Sequence, residues 1–287
     1  MAFSRRYWLV LALCLALQGL GQVRADLVVL HTNDVHCGVE NQLGYAQLAQ
    51  YKKDLMKNPD DTVQLVDAGD AIQGEPLGSL TRGQAVIDIM NVAGYDFAIP
   101  GNHEFDYGVA RLLELAPQLA GGYYSCNLID LRTGKTVFPP YKMVAYDGGK
   151  KAAFIGVTTP QTLISSTPRY FQDDKGQFIY GFSEDATGQK LYEQVQKAID
   201  QAWDEGARTI ILVTHLVRMG RSRSGPARSW LHIRRKWRPS SMVIPMNNMN
   251  AWSRTAKVSP SSSHRRERSS SLSANWSSMT TATCGAN

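Results

Sequence analysis

Polar side chains that could bind metal or move protons follow four apolar runs of this sequence. The string HTNDVH at 31–36 follows the first run, DAGD at 67–70 follows the second, PGNHEFD at 100–106 follows the third, and TH at 214–215 follows the fourth. In an open α/β sheet the working site lies beyond the carboxyl ends of the strands. We therefore expect Asp, His, Asn and His side chains to meet at one rim of a sheet.

The candidate ligands combine oxygen and nitrogen donors. They are Asp34, Asp70 and Asn102 together with the imidazoles of His36 and His215. This mixture suits divalent metals such as Mn, Fe or Zn better than Ca. A carboxylate that bridges, such as that of Asp70, would hold two metals about 3.5 to 4 Å apart, which lets the pair activate water and clamp a phosphoryl group. Taken singly, each Asp could instead be a turn or cap and each His a surface residue.

Short apolar runs predict the strands that position these residues. The runs cover residues 27–30, 63–66, 97–99, 152–157 and 209–213. They are nearly continuous rather than alternating, which is typical of strands buried on both faces.

Helical spacing of apolar residues marks several of the segments between these strands. It extends over 45–56, 84–93 and 109–119. The clearest helix follows Ser183, which we interpret as an N-cap with two acids in the first turn, and Gly206 would end it.

A hairpin is predicted where residues 141–146 and 151–158 are joined through DGG at 147–149. Because strands and helices alternate along the chain, the fold class is α/β with a layered sheet core.

The spaced motifs resemble the calcineurin-like metallophosphoesterases. DxH at 34–36, GD at 69–70, GNHE at 101–104 and the later His215 carry the resemblance. The longer string GNHEFDYG at 101–108, with HTNDVH, looks like the exported 5′-nucleotidase branch, which includes UDP-sugar hydrolases and 2′,3′-cyclic-nucleotide phosphodiesterases. The resemblance covers about residues 26–216. It implies a layered β-sandwich flanked by helices, and hydrolysis of a nucleotide or other phosphoester by water that two divalent metals (Mn, Zn or Fe) activate.

The resemblance also implies a division of the metal ligands. Asp34, His36 and Asp70 would bind one metal, while Asp70, Asn102 and His215 would contribute to the second.

Two catalytic roles follow from the same resemblance. His103 would face the phosphate and stabilise charge in the transition state, and Asp106 would orient its imidazole. The i, i+3 spacing of the two residues permits that contact if the segment turns helically. We expect a structural role for Glu104 and packing roles for Phe105 and Tyr107.

The first 25 residues predict a secretory signal peptide. Arg5 and Arg6 precede an apolar run at 7–17, and small-residue cleavage fits near Ala25. The run is short for a bilayer, so a stable membrane anchor is the weaker alternative. The sequence therefore predicts export to the periplasm or the extracellular space.

Two cysteines, Cys37 and Cys126, lie in the part of the chain that follows the leader and precedes residue 217. Export permits a disulfide between them, but two cysteines carry little pairing information. We favour two buried or half-buried thiols.

Charge is divided unevenly along the chain. With 43% hydrophobic and 20% charged residues, disorder throughout, collagen and a disulfide scaffold are excluded. Residues 26–216 hold 15 Lys and Arg against 24 Asp and Glu, whereas 217–287 hold 13 basic residues, 16 serines and a single acid. The formal net charge of +6 is thus no sign of a body that binds nucleic acid specifically. The segment 217–287 shows no strand or helix pattern, and its low apolar content predicts disorder.

The family pattern includes a further Gly-His-x-His after His215 and a nucleoside-binding domain, and 217–287 contains neither. Read in a shifted frame, the codons that can encode 241–250 permit Asp-Gly-His-Ser-His-Glu-Gln-His-Glu. We therefore interpret 217–287 as an out-of-frame segment and expect the catalytic domain, 26–216, to be incomplete at its C-terminal side and impaired. The alternative is a functional basic arm, which by charge alone could bind polyanions and would suit a non-catalytic exported binding protein.

Overall fold

The computed structural model describes residues 25–40 and 44–216, together with the backbones of 241–245 and 254–258. Its strands are β1 Leu27–Thr32, β2 Thr62–Asp67, β3 Phe97–Ala98, β4 Leu128–Asp130, β5 Lys135–Thr136, β6 Tyr141–Tyr146, β7 Lys150–Thr158, β8 Tyr180–Phe182, β9 Ala207–His215, β10 Ser241–Pro245 and β11 Arg254–Val258. Its α-helices are α1 Gly44–Leu55, α2 Pro76–Thr81, α3 Gln84–Ala93, α4 Val109–Leu115, α5 Thr162–Ser165 and α6 Gln189–Asp204. Single 3₁₀ turns cover His103–Phe105, Ala116–Gln118 and Pro168–Phe171.

Two four-stranded sheets form the centre of the fold. Their strand orders are β11-β1-β2-β3 and β10-β9-β7-β6, and a separate three-stranded sheet has the order β5-β4-β8. Strands β1, β2 and β3 are mutually parallel, and so are β7, β9 and β10. The carboxyl ends of β1, β2 and β3 therefore share one edge.

An apolar layer lies between the two large sheets. Val29, Val66 and Phe97 come from the first sheet, and Phe154 and Val213 from the second. The rings of Phe97 and Phe154 are 5.9 Å apart between centroids. Burying side chains of this size stabilises the fold by about 1.5 to 3 kcal/mol each. Because every residue of β1 is buried, its apolar run is continuous, as the sequence predicted.

Helices cover the outer faces of both sheets. One apolar cluster joins the first sheet to α1, α3 and α4, and another joins the second sheet to α6 through Val195 and Ile199. The layers are thus helix, sheet, sheet, helix. This confirms the predicted α/β fold class, a layered β-sandwich flanked by helices. The predicted hairpin is also confirmed, since β6 and β7 pair antiparallel.

Two helix predictions need correction. The helix predicted over 109–119 ends at Leu115 and continues as a 3₁₀ turn that contains Pro117, a residue that lacks the N–H an α-helix needs. The last helix begins at Gln189 rather than directly after Ser183. The carboxylate of Asp185 caps it by accepting the backbone N–H groups of Gln189 and Lys190.

Strands β10 and β11 lie in the segment where the sequence indicated none. β10 pairs parallel with β9, with Pro245 opposite Thr214, and β11 pairs antiparallel with β1. The expectation of no strand is therefore wrong for these ten residues. β10 contains a short apolar run at 242–244, whereas β11 does not. An exposed sheet edge offers unpaired backbone groups to any extended segment, so a strand such as β11 can be added without an apolar pattern.

Several sequence predictions lie outside the described residues. They concern the leader up to residue 24 and the predicted disorder of 217–240, 246–253 and 259–287. Within the residues that the structure describes, no helix has the length and apolar character needed to cross a membrane.

The cysteines Cys37 and Cys126 are both buried and both unpaired. Cys37 belongs to the apolar cluster beneath α1 and α3, and Cys126 to the cluster beneath α6. Each thiol packs as a small apolar group on a different side of the sandwich, so the expectation of two buried thiols is confirmed.

Candidate metal centre and active site

The residues singled out by type and spacing converge at the edge formed by the strand ends. Asp34 and His36 follow β1, Asp70 follows β2, Asn102 follows β3, and His215 is the last residue of β9. Asp70 lies at the centre of this group, where it is 3% exposed. The rim that the sequence predicted is therefore formed, with candidate ligands from both large sheets.

Asp70 contacts three other residues of the site. Its Oδ2 lies 3.2 Å from His215 Nε2 and 3.9 Å from His36 Nε2. Its Oδ1 accepts the backbone N–H of His103 at 2.8 Å. Burial opposes ionisation of the carboxyl, but the hydrogen bonds and charges of His215 and His103 outweigh it and lower the pKa of Asp70. The Asp70 side chain is thus an anion, and it lies where two cations could bind to it.

The two imidazoles on either side of Asp70 are oriented by backbone carbonyls. Nδ1 of His215 donates to the carbonyl of Ala68 at 2.8 Å, and Nδ1 of His36 donates to that of Gln73 at 3.0 Å. Both bonds leave Nε2 directed toward Asp70, which is how metal-binding histidines are commonly fixed. Burial alone would lower the pKa of His215, but the bond and charge of Asp70 raise it to about 9.

The candidate ligand atoms form two compact groups that share Asp70. Asp34, Asp70 and His215 make one group, and His36, Asp70 and His103 make the other, with all ligand atoms of a group within 4.8 Å of one another. This division differs from the expected trio of Asp34, His36 and Asp70.

Local contacts account for the difference in grouping. Asn33 Nδ2 donates to one oxygen of Asp34 at 2.5 Å. The carbonyl of Gln73 turns the ring of His36 toward His103, with 5.1 Å between ring centroids. Asn102 Oδ1 lies 3.2 Å from His215 Nε2, beside the group that contains Asp34.

His103 and Asp106 make the contact that their spacing predicts. The segment His103–Phe105 is a 3₁₀ turn, and His103 Nδ1 lies 2.7 Å from Asp106 Oδ2. Partial burial works against protonation of the imidazole, but the bond to Asp106 and the charge of Asp70 raise the pKa of His103. The His103 side chain is 37% exposed, so its ring borders both the ligand groups and the solvent.

Residues 27–231 match the family model described as calcineurin-like phosphoesterase. The chain belongs to this family. The phosphoesterase fold and the resemblance inferred from the motifs are thereby confirmed.

The phosphoesterase is similar to several nucleotide-cleaving proteins. It is 34% identical to a snake venom 5′-nucleotidase of Gloydius brevicauda over 163 residues, which are 50% of this chain and 27% of the relative. It is 27% identical to a 2′,3′-cyclic-nucleotide 2′-phosphodiesterase/3′-nucleotidase of Salmonella typhimurium over 215 residues, 66% of this chain and 31% of the relative. The crystal structure of a 5′-nucleotidase precursor from Thermus thermophilus has a TM-score of 0.55 at 27% identity, covering 67% of this chain and 37% of that one. The phosphoesterase chain thus spans about a third of the length of these relatives.

The backbone of this phosphoesterase is unusual at the candidate ligands. Asp34, His36 and Asp70 have φ angles of 53°, 47° and 63°, in the left-handed region that non-glycine residues rarely adopt. A Cβ at Gly69 would lie 2.6 Å from the amide nitrogen of Gly101, which requires a residue without a side chain there. These glycines therefore let neighbouring loops approach each other closely.

Asp67, the first residue of the DAGD string at 67–70, is a buried acid of the site region that was not among the predicted ligands. It is fully buried as the last residue of β2, where Thr32 Oγ1 donates to it at 2.9 Å and the N–H of Gly69 donates at 3.0 Å. Burial, followed by the charge of Glu104, raises the pKa of Asp67 to about 8. Its position directly after an apolar run was the available signal.

Asp67→Asn is expected to flatten the pH dependence of stability. The folded-state pKa lies above the unfolded value, so the folded protein keeps a proton that the unfolded chain releases, and wild-type stability falls as pH rises from about 5 to 8. The free energy of unfolding of the wild type, relative to that of Asp67→Asn, should fall with a slope that approaches about 1.4 kcal/mol per pH unit. Urea unfolding at pH 5, 6, 7 and 8 measures both proteins, and parallel curves would contradict the expectation.

Proposed function

We propose that this chain carries the catalytic centre of a metal-dependent phosphoester hydrolase that acts on nucleotides, with 5′-nucleotides as the first candidates. The observation that carries the proposal is the convergence of Asp34, His36 and His215 around the buried carboxylate of Asp70, with His103 beside them. The names of the similar proteins support nucleotides as the substrate class.

The residues of the site fit a pair of divalent cations. Carboxylate, amide oxygen and imidazole nitrogen together suit Mn, Zn or Fe. Asp34, His36, Asp70, Asn102 and His215 would hold the metals, with Asp70 shared between them. When bound, such metals lower the pKa of water and neutralise charge on the phosphoryl group.

His103 and Asp106 supply the proposed chemistry of the chain itself. Asp106 fixes the ring through Nδ1, so Nε2 is the atom available to a phosphoryl oxygen. A positively charged imidazole next to the phosphate stabilises the negative charge that grows in the transition state. Asp106 acts through His103 and is a positioning residue.

A second substrate class is favoured by one of the similar proteins. The Salmonella typhimurium relative is a cyclic-nucleotide 2′-phosphodiesterase as well as a 3′-nucleotidase. A panel of AMP, 3′-AMP, 2′,3′-cyclic AMP and a UDP-sugar distinguishes these activities at the same site.

We also infer that residues 217–287 are read out of frame. β10 lies alongside β9 and its last residue, Pro245, pairs with Thr214, next to His215. The shifted codons that permit Gly-His-Ser-His fall in this same stretch, so the restored motif would emerge beside the candidate metal ligands. Sequencing of the DNA across codons 213–250 tests the inference, and an unaltered frame there would overturn it.

Manganese-dependent release of phosphate from AMP tests the proposed function. The frame-restored chain is expected to release phosphate with Mn²⁺ and to lose that activity with a chelator, while the chain as printed is expected to be slower. The absence of metal-stimulated hydrolysis on every substrate of the panel in the frame-restored chain would overturn the proposal.

We also propose that the protein is exported from the cytoplasm. The leader 1–25 supports it, and one similar protein is a venom component. Expression in a Gram-negative host followed by N-terminal sequencing is expected to give a mature chain that starts near Asp26 in the periplasmic fraction. An uncleaved cytoplasmic chain would contradict it.

A further inference from the structure

Glu104 is a buried acid whose acceptor positions are filled by backbone donors. It is 0% exposed. Its Oε2 accepts the N–H groups of Asp70 at 2.7 Å and Gly101 at 2.6 Å. Its Oε1 accepts those of Ala71 at 2.7 Å and Ile72 at 3.3 Å. A carboxylate accepts about four hydrogen bonds, so this arrangement satisfies a buried charge with backbone amides alone.

These four bonds join two of the loops that carry candidate metal ligands. Residues 70–72 belong to the loop after β2, which presents Asp70. Gly101 belongs to the loop after β3 and directly precedes Asn102. Because one oxygen accepts from both loops, their separation is set by the carboxylate.

A third loop is held through the second loop. The carbonyls of Gly69, Asp70 and Ala71 accept the N–H groups of Asp34, His36 and Cys37 respectively, each at 2.9 Å. The N–H groups of Asp70 and Ala71 bond to Glu104 while their carbonyls bond to the loop after β1. Glu104 therefore helps to position Asp34 and His36 through the loop after β2, although it contacts neither residue.

The backbone conformation of these loops needs such support. Asp34, His36 and Asp70 all have φ between 47° and 63°. Conformations of this kind persist only where the surrounding structure determines them. The carboxylate of Glu104 accepts amide N–H groups both from the loop after β2 and from the loop after β3.

We propose that Glu104 is a positioning residue that holds the three ligand-bearing loops at the separation a metal pair requires. The proposal rests on the proposed function for the identity of the site. Its claim about the loops stands on the hydrogen bonds of this chain. Glu104 belongs to neither group of candidate ligands, and its oxygens accept backbone amides instead.

Glu104→Gln tests the proposal in the chain as it exists. The amide keeps the size of the side chain but places an NH₂ group where two backbone N–H groups now donate. Hydrogen exchange without metal is expected to accelerate at residues 69–72 and 101–102 and also at 33–37. The affinity for Mn²⁺ is expected to fall about 10- to 100-fold, the usual cost of losing a residue that supports metal ligands.

Asp96→Asn is the matched control. Asp96 also accepts a backbone N–H, that of Leu65 at 2.7 Å, and pairs with Lys52, but it precedes β3 at the amino end of that strand and belongs to neither group of candidate ligands. Exchange should accelerate near residues 52, 65 and 94 in this variant, with Mn²⁺ affinity unchanged. A purely structural role for Glu104 would make both variants alike, with lower thermal stability and unchanged affinity in the folded fraction.

Each outcome decides one of the two proposals. Unchanged exchange at 33–37 in Glu104→Gln would overturn the role of Glu104, whatever the metal does. Wild-type protein that binds no Mn²⁺, Zn²⁺ or Fe²⁺ would overturn the metal site while the exchange data still test the loops. If Glu104→Gln does not fold, Glu104→Asp retains the charge but shortens the reach, and it is expected to give the same local exchange pattern.

Discussion

Asp70→Asn is expected to reduce Mn²⁺ affinity by more than about 100-fold. This is a larger loss than the one that follows removal of a residue that only supports a metal ligand. Asp70 belongs to both ligand groups, so its charge serves both metals. The substitution preserves the shape of the side chain but removes the anion that lies 3.2 Å from His215 and 3.9 Å from His36. Calorimetric titration with Mn²⁺ measures the affinity and the number of bound ions.

Asp34→Asn is the variant to compare with Asp70→Asn, because its effect on metal binding is expected to be smaller. Asp34 belongs to one group only, and Asn33 already engages one of its oxygens. This variant is expected to lose one ion, whereas Asp70→Asn loses both. Thermal unfolding provides a second readout, because an ion that binds only the folded state raises the melting temperature. Wild-type stoichiometry in Asp70→Asn would contradict a shared carboxylate.

The strands could be predicted because they are buried on both faces. β1 has six consecutive buried residues, and its apolar run is readable without knowledge of its neighbours. The start of α6 was less predictable, since Ser183 looked like an N-cap. In the structure the N–H of Ser183 bonds to the carbonyl of Asn127, and Asp185 caps the helix instead. That choice depends on a tertiary contact, which local sequence does not contain.

The composition of the candidate site could also be predicted, but its internal arrangement could not. Strand-end placement was enough to bring Asp34, Asp70 and His215 together. Which ligands share a group depends on the carbonyls of Ala68 and Gln73, which orient the imidazoles. Backbone carbonyls occur at every residue, so sequence offers no signal for the ones that matter.

The role of Glu104 illustrates the same limit. The motif GNHE indicated a structural residue, and its burial agrees with that expectation. Its four amide partners come from two loops separated by about thirty residues, and they become visible only when β2 and β3 are placed side by side. The local sequence identifies Glu104 as a structural acid, but its hydrogen-bond partners depend on the pairing of β2 with β3.

His103→Ala is expected to keep the bound metal and to lower kcat for AMP by about 100- to 10,000-fold in the frame-restored chain, the range typical of removing one group that assists in the transition state. His103 contributes to the site through Nε2, while Asp34, Asp70 and His215 form one candidate ligand group without it and His36 and Asp70 remain in the other. Steady-state kinetics and metal analysis of the same preparation measure both quantities. Equal loss of metal and activity would assign His103 to the ligands instead.

Asp106→Asn separates positioning from catalysis at this pair. The carboxylate acts on the phosphate only through the 2.7 Å contact with His103 Nδ1, so its loss should lower kcat less than the loss of the imidazole. In the double variant His103→Ala with Asp106→Asn, the second change should add almost nothing, because residues that work as a unit are not additive. Additive losses would show that Asp106 contacts the substrate or metal independently, and the role of a positioning residue would then fail.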